Sequence, residues 1–522
     1  MKCVALVWVM MLCLLPLRGW AEERSSDPLT GLWVYERTDN SDMDFTSYVE
    51  YMPDGTWIFQ MVSGSEVTYL HVAAYASANG RIVYDDSAAI TYSVAGDTLT
   101  CTEEAVVPWQ EPAVYTYRRV TERPPELLKI RRSGDFCYTE DGLGNAMIVG
   151  YLDWNDPGDP EETLVVPDSL DGRPVTGLRR SAFEACVKDT VILPAGITAI
   201  PDLAFDNANV RRIILPRGVT EIEDYAFGGV AALEEIDLPE GLVRIGRDAF
   251  SNTALTEIDL PESLAVLDGN PFSSCMSLTR IGLPEDHSAF CLIDGVLFSR
   301  EDRRLIWYPV PRTAEHYDIP EGTRVIDEAF YEQQYLTSVT LPDSVTEIRG
   351  FAFYGCRRLQ RLELPASVTA IGPFAFAQCW GLKTITFPDG ITELPESVLH
   401  GAVGLRTVQL PDTLARIGEY AFCDCSSLTG VVIPDGVTEI GTMAFCDCYS
   451  MTSVVLPESL ESIGFGAFDG CSRLTRLVIP AGVTQIGNQA FEDCGGLILV
   501  VVPGTYAEQY CQEQGIPYEY AG

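Results

Sequence analysis

Residues 428–448 read LTGVVIPDGVTEIGTMAFCDC, and residues 451–471 read MTSVVLPESLESIGFGAFDGC. Both spell L-x-x-I-x-L-P-x-x-V-T-x-I-G-x-x-A-F-x-x-C, a phrase that recurs about every 23 residues between Asp168 and Pro503. Its prolines fall at Pro342, Pro365, Pro388, Pro411, Pro434, Pro457, Pro480 and Pro503 in steps of 23. An earlier run, Pro194, Pro216, Pro239, Pro261 and Pro284, steps by 22 or 23. A fixed period of this size signifies stacked coils, none of which buries its apolar face alone. The fold class expected is therefore mainly β: a solenoid, preceded by a small antiparallel β domain.

Thirteen anchor positions run from Phe183 to Phe491, with Leu399 replacing phenylalanine in one coil. Pro284 and Pro320 are 36 residues apart, an excess of 13. The insert, placed at residues 285–319, carries Phe290–Phe298 and Arg304–Pro309 and reads as a hairpin projecting from one coil. After Pro503, Tyr506–Cys511 has a helical flavour and Ile516–Tyr520 an extended one. Residues 504–522 are thus expected to cap the open end of the stack.

Cys186, Cys275, Cys356, Cys379, Cys425, Cys448, Cys471 and Cys494 all stand at one phase, three residues after the anchor. A residue recurring at one phase lines the interior, where a free thiol packs as a small hydrophobe. Cys423 and Cys446 add a second column in the sequence C-D-C. One coil apart, their spacing also suits a disulfide. Zinc held by the two C-D-C pairs is disfavoured, since tetrahedral coordination needs converging thiolates and a ladder points them in parallel.

Residues 28–121 differ from the rest. Asp44–Tyr51 and Thr56–Met61 alternate around Pro53-Asp54-Gly55, and Ile90–Val94 and Thr98–Thr102 alternate around Ala95-Gly96-Asp97. Such pairs read as hairpins, giving seven or eight antiparallel strands. Residues 122–134, with Arg123-Pro124-Pro125, read as a linker, and the repeat region is placed at 135–503. The acidic run from Asp153 to Glu162 lacks the alternating spacing of a calcium loop and reads as a solvated turn.

The chain has 522 residues, enough for two or more domains. Its formal net charge of −40 repels nucleic acid and anionic membrane surfaces. Residues 1–21 combine Lys2, an apolar run from Val4 to Leu17 and Gly19-Trp20-Ala21, the pattern of a cleaved signal peptide. The apolar run is short for a membrane span. The expected location is secreted, extracellular or at the cell surface.

Catalytic signatures are missing. The chain has no G-x-S-x-G, H-E-x-x-H or phosphate-binding glycine loop, and its four histidines, His71, His287, His316 and His400, are read as unrelated in phase. No enzyme activity, cofactor or metal is expected. The residues two and four places before each proline point out of the strands. At the first of these positions Val432, Val455, Val478 and Val501 form an exposed apolar file, the candidate partner-binding residues. Glu235, Asp237, Glu257 and Asp259 bring four carboxylates to neighbouring coils, read as part of an acidic exterior.

The repeat phrase, the G-V-L-F…Y-P insert (Gly295–Phe298, Tyr308-Pro309) and the terminal G-T-Y-A-E-Q-Y…G-I-P-Y resemble the BspA-like class of bacterial leucine-rich-repeat proteins over residues 135–520. That resemblance implies a right-handed solenoid on exported or surface proteins, with adhesion and host-protein binding among its roles and no catalytic residues. Gly31-Leu32-Trp33 on the first strand, with Arg118 or Arg119 on the last, resembles lipocalin-like domains. This second resemblance implies an up-and-down barrel. Two functions are expected. The first is binding of a protein or glycan partner on the concave solenoid face; the alternative is carriage of a small apolar ligand by residues 28–121, with the solenoid as a docking scaffold.

Overall fold

Alternation in the first hundred residues and a 23-residue period thereafter force two different ways of making β structure. The computed structural model describes residues 30–35, 46–52, 56–63, 66–74, 76–78, 81–83, 89–95, 97–103, 114–121, 123–125, 127–152 and 163–521. The segment read as a signal peptide, the Pro53-Asp54-Gly55 turn and the acidic run 153–162 lie outside the described residues. Residues 1–254 and 255–522 divide into two compact units.

In the first unit nine strands form one antiparallel sheet: β1 (Gly31–Tyr35), β2 (Thr46–Tyr51), β3 (Thr56–Ser63), β4 (Glu66–Ala74), β5 (Ala76–Ala78), β6 (Arg81–Val83), β7 (Ala89–Ala95), β8 (Thr98–Glu103) and β9 (Val114–Arg119). Their order is β4-β3-β2-β1-β9-β8-β7-β6-β5, so the first strand pairs with both the second and the last. Period-2 alternation gives the sheet two apolar faces. Trp33, Val49, Tyr51, Trp57, Phe59, Leu99, Cys101 and Tyr117 pack together on one. On the other, Ile58 packs with Ile130, Cys137, Val149 and Leu152. Gln60, fully buried, donates to the Leu128 carbonyl (3.2 Å) and accepts from its N–H (2.9 Å). The segment read as a linker is therefore packed down: Leu127 and Ile130 are buried, and Arg131–Ser133 already pairs with Phe136–Glu140.

Ala146–Tyr151 pairs antiparallel with Phe136–Glu140 on one side and parallel with Arg173–Leu178 on the other, which starts the parallel ladders. Tyr151 heads a column of rings, 6.2 Å from Phe183, and Phe183, Phe205, Phe227 and Phe250 follow at 4.9–5.4 Å.

Each coil has two short strands and an arc. In the coil at 428–450, Gly430–Val432 precedes Pro434, which supplies no N–H and ends the strand. Val437 N–H then closes a turn onto the Pro434 carbonyl, and Glu439–Ile440 forms the second strand. The arc around Phe445 bends on two left-handed residues, Met443 (φ 49°) and Asp447 (φ 57°). The same two places, two before and two after the anchor, are left-handed at Tyr420 and Asp424, Phe374 and Gln378, Leu203 and Asn207, and Ser181 and Ala185. Arcs join through backbone bonds, such as Phe445 N–H to the Ala467 carbonyl at 2.8 Å. The inward cysteines are buried or nearly so and form no disulfides, and from Cys356 onward they donate across coils. Cys471 Sγ lies 3.2 Å from the Phe445 carbonyl and Cys448 Sγ 3.3 Å from that of Phe422.

The insert does not project. Phe290–Ile293 and Val296–Ser299 form the expected antiparallel hairpin, but Arg304–Trp307 continues from it and pairs parallel with Val325–Ile326. Val296, Leu297, Leu305, Ile306 and Trp307 are fully buried. Tyr308 N–H bonds the Ala329 carbonyl just as Phe330 N–H bonds that of Ala352, so Tyr308 serves as an additional anchor. Arg304 also makes a buried ion pair with Asp327 (2.7 Å), which Arg349 approaches at 3.3 Å. At the end of the chain, helix α1 (Tyr506–Gln514) stops at left-handed Gly515 and leads to Tyr518–Tyr520, which pairs parallel with Ile498–Val501.

Candidate interaction surface

The outward row two places before proline follows from strand alternation. Val431, Val454 and Leu477 turn inward and are buried, so Val432, Val455 and Val478 must turn outward. They are 67%, 55% and 51% exposed, the first two directly paired in the ladder. Beside them Thr407, Gln409, Gly430 and Ser453 line a shallow depression of about 550 Å³. Gly430 leaves that space open, because a Cβ there would stand 2.5 Å from Ser453 Oγ. Thr429 and Thr452, one place upstream of the outward pair, bond preceding-coil carbonyls at 3.3 and 3.1 Å and fasten the row.

Val501 does not belong to this file. It is fully buried and packs in the core. The reason is a one-residue change of step: Val478 pairs with Val500, although a strict 23-residue repeat would pair it with Val501. Such a step exchanges inward and outward faces. Leu499 thus takes the inward place, and Val500, between Val478 and Glu519 in the ladder, is buried too. Arg476 and Glu519 form an ion pair at this end of the row.

In the first unit Val165 and Ile214 flank Ile192 in the ladder and are also exposed, while the outward positions of the coils that follow are polar and partly compensated. In the first unit Glu235 pairs with Arg212 at 3.3 Å. In the second, Arg280 reaches both Glu257 (2.9 Å) and Asp259 (3.2 Å). Three of the four carboxylates that the sequence groups, Glu235, Glu257 and Asp259, are thus met by arginines on neighbouring strands. His316 Nε2 lies 2.9 Å from an Asp318 oxygen. Hydrogen bonding to Thr340 and then to His316 holds the Asp318 carboxyl below its usual range. His287 is buried in a turn, its Nε2 3.1 Å from the Pro261 carbonyl while Nδ1 accepts from Ala289 and Phe290 N–H. The side chain of His71 is outside the described set.

In the N-terminal sheet the Arg119 guanidinium lies 4.2 Å from the Trp33 ring and donates to the Thr30 carbonyl at 3.0 Å. Gly31, at φ 137°, is required beneath it: a Cβ would stand 2.7 Å from Arg119 Nη1.

A family model described as BspA type leucine rich repeat region matches in six copies, over residues 175–292, 313–428 and 395–512. The chain belongs to this family. Among solved structures it is similar to a leucine-rich repeat protein from Eubacterium ventriosum, at 23% identity, covering 70% of this chain and 94% of that one, TM-score 0.53. It is similar also to a leucine-rich repeat protein from Bacteroides ovatus (22% identity, 76% and 98% coverage, TM-score 0.43). A leucine rich cell surface protein from Faecalibacterium prausnitzii matches as well (23% identity, 75% and 98% coverage, TM-score 0.37). No curated protein matches. The fold shared with the first is that of a leucine-rich repeat, an architecture that works by presenting surface. Among the described residues no helix is long and apolar enough to cross a membrane.

Proposed function

We propose that this protein binds a protein or glycan partner non-covalently on the strand face of its C-terminal unit, as an exported or surface-displayed molecule without enzymatic activity. The observation that carries the reading is the row of Val432, Val455 and Val478, more than half exposed on consecutive coils beside an open depression. Apolar surface of this kind, rimmed by Thr407, Gln409 and Ser453, is the usual centre of an interaction patch. The test is capture of partners by the full-length protein, followed by affinity measurement with a variant carrying Val432→Lys, Val455→Lys and Val478→Lys. Burying three lysines in an apolar contact should weaken binding by about 100-fold or more, with an unchanged circular dichroism spectrum. Undiminished affinity would remove this face from consideration.

A second reading rests on Trp33 beneath Arg119: residues 28–121 as a lipocalin-like barrel carrying a small apolar ligand. It predicts saturable binding of an apolar fluorophore by the full chain, insensitive to the three lysines and lost in Trp33→Ala.

A further inference from the structure

The residue immediately after each anchor forms its own column, held in step by backbone bonds. Gly401 N–H donates to the Cys423 carbonyl (2.8 Å), Asp424 N–H to that of Cys446 (2.9 Å) and Asp447 N–H to that of Asp469 (2.8 Å). Along this column stand His400, Cys423, Cys446 and Asp469, following Leu399, Phe422, Phe445 and Phe468. The sequence reading set the four histidines in unrelated phases and joined none of them to the cysteines. The structure puts it in the same phase as Cys423, one coil earlier.

A ring nitrogen of His400, Cys423 Sγ and a carboxylate oxygen of Asp424 lie within 4.8 Å of one another. Two further facts point to a ligand. His400 Nδ1 is buried and has no hydrogen-bond partner, an orphan that a folded protein seldom leaves. Cys446, one coil on, shares a hydrogen bond with Cys423, which sets a second thiol beside the first. The neighbourhood is also acidic. Asp469 is raised by burial and then by Glu492, Asp493 and Asp447, the repulsion expected where negative charge is crowded.

We propose that His400, Cys423 and Asp424 form a binding site for a divalent transition metal of the zinc class, with the Cys446 thiol as the adjacent fourth donor. Imidazole and thiolate select borderline-soft ions over magnesium or calcium, and one nitrogen, two sulfurs and one oxygen match a four-coordinate set. Binding displaces the Cys423 proton to solvent, and the Cys446 proton too when that sulfur ligates; the cation meets the resulting thiolate charge. The four-thiolate arrangement stays disfavoured, because Cys425 and Cys448 point inward onto the Leu399 and Phe422 carbonyls.

The experiment is titration of the reduced, metal-stripped full chain with cobalt(II), read by absorption, with zinc as competitor. One cobalt per chain is expected, with a thiolate-to-cobalt charge-transfer band and tetrahedral visible bands that zinc abolishes. Cys423→Ser should weaken the charge-transfer band, and Cys423→Ser combined with Cys446→Ser should remove it. His400→Gln and Asp424→Asn, conservative changes on partly exposed side chains, should each weaken binding by about tenfold or more while leaving the circular dichroism spectrum intact. No charge-transfer band with the reduced chain would overturn the proposal. So would a band of undiminished strength in Cys423→Ser, one that survives the double change at Cys423 and Cys446, or affinities unchanged in both conservative variants.

Discussion

A left-handed backbone is costly for any residue with a Cβ, yet most of the arcs bend on such residues, the arc around Phe468 using Gly466 and Gly470 instead. Ala185, at φ 54°, has neither a glycine's freedom nor an asparagine's local hydrogen bond. Ala185→Gly should therefore stabilise its coil by about 1 kcal/mol, measured by hydrogen exchange of the flanking amides. Gly470→Ala should destabilise by a similar amount, since the residue sits at φ 72° and the new Cβ would meet Asp447 Oδ1 at 2.4 Å. The second x of A-F-x-x-C holds this rule in plain view, in Asn207, Gly229, Asn252, Gly355, Gly401, Asp424 and Gly470. Periodicity of apolar residues alone does not reveal it, because the constraint is on backbone torsion. His400 escaped notice for a different reason: the histidines were compared with one another and not with the residues that follow the neighbouring anchors. The inward thiols, by contrast, were legible as a column, and their burial has a chemical consequence. Burial raises the thiols of Cys448 and, to about 12, Cys101 and Cys494, so at pH 8 each stays protonated and a poor nucleophile. Alkylation at pH 8 should spare them in the native chain and modify them in denaturant, as read by mass.

Strands were the easiest elements to read and their step the hardest. The phrase L-x-x-I-x-L-P fixes which side chains turn inward wherever 23 residues separate coils, and Val432, Val455 and Val478 face outward as alternation requires. Val501 does not, because Leu499-Val500-Val501-Val502 offers apolar side chains in every register, and pairing with the final strand decides among them. The insert shows a related ambiguity. Its hairpin was visible in Asp294-Gly295 between two apolar runs, but Tyr308 lacks the preceding alanine that marks an anchor, so its role as one was not. What ties this element to its neighbours is the buried Asp327 carboxylate between Arg304 and Arg349. Removing one partner of a buried pair strands the other, and Asp327→Ala should cost about 3–5 kcal/mol. The check is denaturant unfolding followed at Trp307, whose ring meets Phe272 at 6.3 Å.

Over the whole molecule, composition specified very little beyond solubility. A net charge of −40 is compatible with many partners, and many of its carboxylates are already met by arginines, as at Arg416 between Glu393 and Glu439. The C-terminal cap shows what an uncovered stack would face. Ala507, Tyr510 and Cys511 are buried, and Tyr510 meets the last anchor, Phe491, edge-on at 6.3 Å. Deleting residues 504–522 should uncover Phe491, Leu497 and the edge of Ile498–Val501, and an open edge pairs with other chains. Size-exclusion chromatography with light scattering should then show association, while the intact chain keeps its own mass. The bonds between arcs have a genetic corollary. Since each coil is joined to the next through equivalent backbone atoms, duplication or loss of one entire 23-residue segment preserves all remaining junctions. Array length is free to drift in whole multiples during descent, single-residue changes are absorbed where coils are 22 long, and a larger insertion is accommodated near residue 300.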